Sequence, residues 1–461
     1  MAESPAEEVA TLLAPEEPHR KPSRFIDWLA RNPLVRRLPG ALRTPFALDN
    51  MVYFVGNLFA GLAGFAFQGL LARALGPDGF SEVAPLISIF YLIQIALYIS
   101  MAVAARYTAP LAARGQSSRV NRAYIDFTLY VSVIGMVGML VFLLLVPWMK
   151  GFLNLGSYGP LVALSGAVPL CLLVGVGRGV VQGEQRFPPL SLNFILYGCT
   201  TLAFLPLLLA FNLHAVGAMV AINLALVLCN LLAAWTLRDL PHAGHHERLN
   251  VWPLVRSALG ASAGITAITL FYNFDVLLAK HFLSSSDAGL YSAMSLLGKI
   301  IFFGTISISA VMFPRVAALH SQGKSSRRTV NLSLGLVLVA GGLVSLLYFL
   351  LPSLTVTLLL HQAEYQAITP YLGLFGLAML GLALSNVLVY YFVAVHRRRF
   401  VWGLAVGAIA FAVLLTSFHD TLGQFTVSVT IAIDMMAVVL LAIYALDRAV
   451  APPAAAVRAD D

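Results

Sequence analysis

Residues 123–148 read AYIDFTLYVSVIGMVGMLVFLLLVPW, a run of 26 residues whose one charged group is Asp126. At about 1.5 Å of rise per residue such a helix is about 39 Å long, enough to cross roughly 30 Å of hydrocarbon. Alternation with period two is absent, so a strand does not account for it. A helix that is apolar all round needs an apolar environment on every side. This stretch therefore predicts a membrane-spanning helix, and the rest of the chain is read from it.

Eleven similar runs follow the same rule. They lie near 49–72, 81–106, 160–183, 189–211, 215–237, 256–280, 288–313, 329–351, 369–394, 400–418 and 422–446, which makes twelve predicted spans. Of the 461 residues, 59% are hydrophobic and only 11% are charged. A soluble domain of ordinary composition carries roughly 25% charged residues, so a soluble fold is excluded, as is an intrinsically disordered chain. Three cysteines in so long a chain exclude a disulfide scaffold, and Cys171, Cys199 and Cys229 each sit in an apolar run as small packing residues. The first 23 residues are acidic, contain proline and have no apolar segment of a cleavable signal.

The net charge is +8. The basic residues fall in short loops between the runs, which reads as a topology signal and not as a nucleic-acid interface. With the N-terminus inside, 25 Lys and Arg lie on the cytoplasmic side and three (Arg73, Lys150, Lys280) on the outer side. That asymmetry alternates at every loop and places both termini in the cytoplasm. Within the tail, Arg24 to Leu38 mixes aromatic and aliphatic residues with arginines, a composition suited to the headgroup level.

The two halves repeat. Leu70-Leu71-Ala72-Arg73 matches Leu277-Leu278-Ala279-Lys280 at an offset of 207, and Gly115-Gln116-Ser117-Ser118-Arg119 matches Gly323-Lys324-Ser325-Ser326-Arg327 at 208. Six spans per half is an even number, so both halves enter the membrane in the same sense, as parallel repeats. The expected fold is an all-α integral membrane protein with twelve transmembrane helices in two parallel six-helix lobes. Its expected divisions are a cytoplasmic tail 1–48, an N-lobe 49–237, a linker 238–255, a C-lobe 256–446 and a C-terminal tail 447–461.

Polar groups inside the spans mark the candidate site, because an ionisable group at mid-membrane costs at least about 2.5–3.5 kcal/mol on insertion scales. Lys299 is the clearest, with Ser292 and Ser295 on the same helix face. Asp434 shares a face with Thr426 and Thr430, and a Lys299–Asp434 pair is one arrangement the sequence allows. The seventh span carries Ser262, Thr266, Thr269 and Asn273, then Asp275 and Lys280; the first carries Asn50, Asn57, Gly61, Gly64 and Gln68, then Arg73. Arg73 and Lys280 also suit snorkelling to outer headgroups. Arg178 lies in Gly175-Val176-Gly177-Arg178-Gly179, where the glycines suit close helix contact rather than a dinucleotide loop, since no strand precedes them. No catalytic set, cofactor motif or metal-ligand spacing is present; His242, His245 and His246 cluster in the linker, where a solvated reading is preferred.

Several runs resemble the polysaccharide flippases of the MOP superfamily, the O-antigen translocases and related lipid-linked oligosaccharide exporters. They are Tyr272-Asn273-Phe274-Asp275-Val276-Leu277-Leu278-Ala279-Lys280, Ala288-Gly289-Leu290-Tyr291-Ser292-Ala293, Leu71-Ala72-Arg73-Ala74-Leu75-Gly76, Gln182-Gly183-Glu184-Gln185-Arg186-Phe187 and Met312-Phe313-Pro314-Arg315. The resemblance extends from Asn50 to Arg448. It implies two lobes around a central cationic cavity and movement of undecaprenyl-pyrophosphate-linked oligosaccharide from the inner to the outer leaflet of a bacterial plasma membrane, for surface polysaccharide and lipopolysaccharide synthesis. It implies alternating access driven by a proton or sodium ion, without ATP. On that reading Lys299, Arg178, Lys280, Arg73, Ser295, Gln68, Asn57 and Asn273 face substrate, and Asp275 and Asp434 couple the ion. Membrane lipids and polysaccharide polymerase machinery are the further expected partners; no cofactor, enzyme activity or nucleic acid is expected. The lipid II flippases of the superfamily have fourteen helices, whereas twelve are counted here. A multidrug or metabolite exporter on the same fold, or a non-transporting scaffold of a polysaccharide assembly complex, are the alternative readings.

Overall fold

The computed structural model describes residues 45–211, 213–241 and 252–446. The regular structure in those residues is helical, and no strand occurs among them. The expected interfacial segment 24–38, the histidine cluster, residues 1–44 of the N-terminal tail and the C-terminal tail 447–461 lie outside the described residues; residues 45–48 of the expected tail begin the first helix. The first helix, α1 (Pro45–Ala113), is followed by α2 (Ser117–Phe152), α3 (Gly159–Ser165), α4 (Ala167–Gly183), α5 (Phe187–Ala210) and α6 (His214–Leu237). Then come α7 (Trp252–Phe282), α8 (Ser285–Ser321), α9 (Arg327–Leu350), α10 (Pro352–Leu360), a 3-10 turn (Ala363–Ile368), α11 (Thr369–Ala394), α12 (Phe400–Ser417) and α13 (Leu422–Leu446).

Among the described residues, ten segments are long and apolar enough to cross a membrane. One of them, Met51–Ala113, has 63 residues, about 95 Å of helix and enough for two passes. It breaks at Gly76, whose φ of 67° and ψ of 179° are not helical. Glycine tolerates that φ without a Cβ penalty, and Pro77 then removes a helical N–H. The helix α7, with 31 residues, supplies the remaining pass of the twelve expected from the sequence. The short pieces α3 and α4 together make one segment, Gly159–Gly183.

The described chain forms two compact units. The first takes residues up to Phe67, then Ile93–Lys150 and Gly156–Gly260; the second takes Gln68–Leu92, Gly151–Leu155 and the chain from Ala261 onward. Residues 68–92, around the α1 break, and 151–155, after α2, thus group with the second unit although they fall within 49–237.

In the first unit α6 packs on α3, α4 and α5. Its core includes Met101, Ala104, Phe127, Val176, Val180, Leu190 and Phe194, all buried. The glycines around Arg178 let α4 lie directly on the second half of α1. A Cβ at Gly179 would be 3.0 Å from Met101 Cα, and one at Gly183 would be 3.1 Å from the Ala109 nitrogen. With no hydrophobic drive between helices in lipid, such small-residue contact supplies the packing. In the second unit α11 is the central helix, packed by α8, α9 and α13. It is apolar all round, and 78% of its most apolar window is buried, as a fully surrounded helix requires.

Candidate functional site

The second unit contains a buried charged centre between α7 and α8. Asp275, fully buried, comes from α7. Two side chains of α8 donate to its Oδ2: the Tyr291 hydroxyl at 3.0 Å and the Ser295 hydroxyl at 3.2 Å. Tyr291 and Ser295 are four apart, hence on one helix face. Lys299, four further on, continues that face and is 4% exposed. Its Nζ lies 5.8 Å from the Tyr272 ring centroid, within range of a cation–π contact. Asp275 and Lys299 act on each other as opposite charges, yet no ion pair joins them within 4.0 Å. Asp275 Oδ1 has no hydrogen-bond partner among the described residues.

Aromatic rings wall this centre. Tyr291 meets Phe375 and Phe425 edge-on, at 5.7 and 4.8 Å between centroids. Tyr272 meets Phe302 and Phe303 at 5.0 and 5.8 Å. A carboxylate and an ammonium are held apart in a low-dielectric surround, where each strongly influences the other. Chemically, the free Oδ1 can accept a proton or contribute to a cation site, and the ammonium can meet an anion.

The other residues singled out from the sequence are distributed as follows. In the second unit Asn273 is fully buried; its Nδ2 donates to the Thr269 carbonyl at 2.8 Å, and its Oδ1 has no partner among the described residues. Gln68 donates to the Tyr91 hydroxyl at 2.9 Å. Lys280 is 2% exposed and donates to the Ser81 and Ser285 hydroxyls at 2.8 and 3.3 Å. Its ammonium is fixed inside the fold, so the snorkelling reading does not hold for it. Arg73 is half-buried and donates to the carbonyls of Leu358 and Leu359, both at 3.0 Å.

Asp434 is half-buried on α13, against Gly381 of α11, where any Cβ would collide with its Oδ1. It makes no ion pair with Lys299; the charge acting on Lys299 is Asp275. The threonines of its stripe turn inward on their own helix: Thr426 donates to Leu422 O and Thr430 to Thr426 O, at 2.7 and 2.8 Å. Ser292 likewise donates to Ala288 O at 2.7 Å. Such i−4 bonding satisfies a hydroxyl where no water is at hand. Of the Lys299 stripe, Ser295 is the hydroxyl that reaches across to α7.

In the first unit Asn57 is exposed. Arg178 is 6% exposed and sits in a neutral cage. Its Nε donates to Asn193 Oδ1 at 2.7 Å, its Nη2 lies 3.9 Å from Cys229 Sγ, and its guanidinium stacks 4.1 Å over the Phe194 ring. Asn193 Nδ2 donates to Cys229 O at 2.7 Å, and the thiol donates back to Asn193 O at 3.3 Å. Arg178 and Asn193 meet Val181, Pro189, Leu190, Ala233 and Thr236 here, and the packing between them leaves no cavity.

Sequence reasoning missed Tyr291 and Tyr272 as members of the charged centre. The signal was present: Tyr291, Ser295 and Lys299 recur at four-residue steps on α8, and Tyr272 precedes Asp275 by one turn on α7. It also missed Asn193 and Cys229, for which no local spacing exists, since they reach Arg178 across 15 and 51 residues of chain.

Comparison with known proteins agrees with this architecture. Among curated proteins, none matches this sequence. The chain is similar in structure to an inward-facing multidrug resistance MATE family transporter of the MOP superfamily, at 12% identity and a TM-score of 0.73, over 87% of this chain and 99% of that one. It is similar to a eukaryotic MATE transporter at 14% identity and a TM-score of 0.61, over 86% and 96%. A MOP superfamily transporter from Pyrococcus furiosus, described as having a binding pocket of reversed polarity, gives 15% identity and a TM-score of 0.58, over 93% and 98%. A family model described as "Polysaccharide biosynthesis protein" matches residues 48–320, more than half of the chain. Matching that model over more than half of its length, the chain belongs to the polysaccharide biosynthesis protein family, and its fold is like that of the MATE transporters it resembles in structure.

Proposed function

We propose that this protein is a flippase that moves undecaprenyl-pyrophosphate-linked oligosaccharide from the inner to the outer leaflet of the bacterial plasma membrane, by alternating access coupled to a proton or sodium ion. The observation that carries the reading is the Asp275–Lys299 centre: a buried carboxylate with one oxygen unpartnered, and a buried ammonium held off from it. A charge pair with no direct contact can exchange partners at lower cost than a closed ion pair. Lys299 takes the anionic diphosphate or acidic sugar, and Asp275 takes the coupling ion. Ser295 and Tyr291 hold the carboxylate in place. Asp434, half-buried and without an ion pair among the described residues, is the second coupling candidate.

Arg178, Asn57, Asn273 and Gln68 remain substrate-facing candidates in this reading. Lys280 and Arg73 support the site indirectly, because their donors are engaged by Ser81, Ser285 and helix carbonyls. The loop-charge asymmetry supports cytoplasmic termini. The family match supports a role in surface polysaccharide synthesis rather than drug export, and a cationic Lys299 disfavours organic cations as cargo.

The test is leaflet accessibility in proteoliposomes. Purified protein is reconstituted with labelled undecaprenyl-pyrophosphate sugar, and its appearance outside is followed with and without an imposed ion gradient. Protein-dependent movement, lost in Lys299→Ala with insertion intact, is the expected result. No movement across a panel of lipid-linked sugars, or full movement by the folded Lys299→Ala variant, overturns the reading in favour of a soluble-substrate exporter or a scaffold.

A further inference from the structure

Residues 68–92 carry a second construction, unrelated to the charged centre. The α1 break leaves backbone carbonyls without helical donors. Arg73 O would normally receive the N–H four residues on, but that residue is Pro77, which has none. Gln362 Nε2 donates to Arg73 O instead, and the buried Tyr365 hydroxyl donates to Ala72 O at 2.9 Å.

The converse holds at the other helix end. The helix α10 stops at His361, which takes a left-handed φ of 63°, and its last carbonyls have no helical donor. Arg73 fills that place with Nε on Leu359 O and Nη2 on Leu358 O, both at 3.0 Å. A guanidinium at a helix C-terminus also complements the helix dipole. Two broken helix ends therefore cap each other.

Lys280, the counterpart of Arg73 in the repeat, adds to the hold by donating to Ser81 at 2.8 Å. Gly289 of α8 lies so close to Pro77 that a Cβ would stand 2.9 Å from its Cα and collide with its carbonyl. All these contacts belong to the second unit, while the chain on either side, up to Phe67 and from Ile93, belongs to the first.

We propose that this reciprocal cap is a reversible latch on the outer side: residues 72–77 separate from residues 358–365 when the protein opens outward, and transport requires that separation. The inference rests on the alternating-access reading above. The chemistry favours reversibility. Every polar bond of the cap ends on a backbone carbonyl or a hydroxyl, groups that water at the headgroup level can satisfy in exchange. Among the described residues Arg73 bonds to carbonyls and to no carboxylate, and Arg73 and Gln362 are only half-buried.

The experiment reads opening without substrate. Spin labels at Tyr158→Cys and Phe418→Cys, both exposed in loops that the charge rule places outside, report their separation in proteoliposomes by pulsed electron resonance, in a background lacking the native cysteines. Gln362→Ala with Tyr365→Phe frees both carbonyls, and the long-distance population is expected to rise several-fold. A distribution unchanged from the parent overturns the latch. In a second arm the parent carries, in place of the spin labels, Arg73→Cys and Gln362→Cys bridged by a short reductant-cleavable cross-linker. Bridged protein is expected to lose flux of lipid-linked sugar and to resist labelling of a single outer-facing thiol-reactive site, with both restored by reductant. Bridged protein that opens as the unbridged form does overturns the proposal. Opening that responds to the bridge in a protein that moves no lipid-linked sugar keeps the latch and removes the substrate assignment.

Discussion

Arg178 in the first unit and Lys299 in the second are both cations buried on a membrane helix, and the two are treated oppositely. Arg178 is held by Asn193, Cys229 and Phe194, all neutral. Lys299 has an aromatic ring on one side and feels the charge of Asp275 from beyond ion-pair distance. The guanidinium is delocalised and weakly hydrated, so a neutral amide and a ring face suffice to hold it. The ammonium is a compact charge that depends on an opposite charge nearby. The first arrangement fixes a side chain; the second leaves a pair whose state changes when either member gains a proton, an ion or an anion.

The largest effect expected on that contrast comes from Asp275. Asp275→Asn keeps the volume and an oxygen that Tyr291 can reach but removes the charge. Gradient-coupled transport is expected to fall at least tenfold, with a lowered melting temperature because Lys299 is left uncompensated. Adding Lys299→Met to it is expected to recover the melting temperature without recovering transport. Recovery of both would show that the pair serves folding alone.

Removing the Arg178 cage side chain is expected to act on stability first. Arg178→Ala leaves Asn193 Oδ1 buried without its donor, a loss of about 1–3 kcal/mol. A thermal-shift measurement in detergent checks it. An unchanged melting temperature with transport abolished would reverse the contrast and make Arg178 the freer cation.

The smallest effect belongs to Tyr291→Phe, which removes one of two donors to Asp275 Oδ2 while keeping the ring against Phe375 and Phe425. Ser295 still donates to the same oxygen at 3.2 Å, so the carboxylate keeps a partner and its position. Transport is expected to drop a few-fold with a changed dependence on the coupling ion. A drop as large as that of Asp275→Asn would mean the tyrosine hydroxyl itself takes part in ion or proton transfer.

The candidate site was partly legible in the residues. Lys299, Asp275 and Ser295 stand out because an ionisable group inside a span has to be explained and helical spacing says which neighbours share its face. The pairing was not legible. Spacing suggests Asp434 as a partner for Lys299 and does not point to Asp275, and threonine and serine stripes read alike whether they turn outward or bond to their own helix. Which hydroxyl reaches across is decided by how two helices are set against each other, a distance that spacing along one helix does not contain.

Sequence alone determined that this is a membrane protein of twelve passes built as a repeat, because the hydrocarbon layer acts on every span separately and its demand can be read one segment at a time. Tertiary structure decided which carboxylate faces Lys299, which neutral groups hold Arg178, and that residues 68–92 are fastened to the second unit by capping at Ala72, Arg73 and the end of α10. Those outcomes depend on groups brought together across as many as 293 residues of chain, and a hydrogen bond forms only where both partners arrive at the same place.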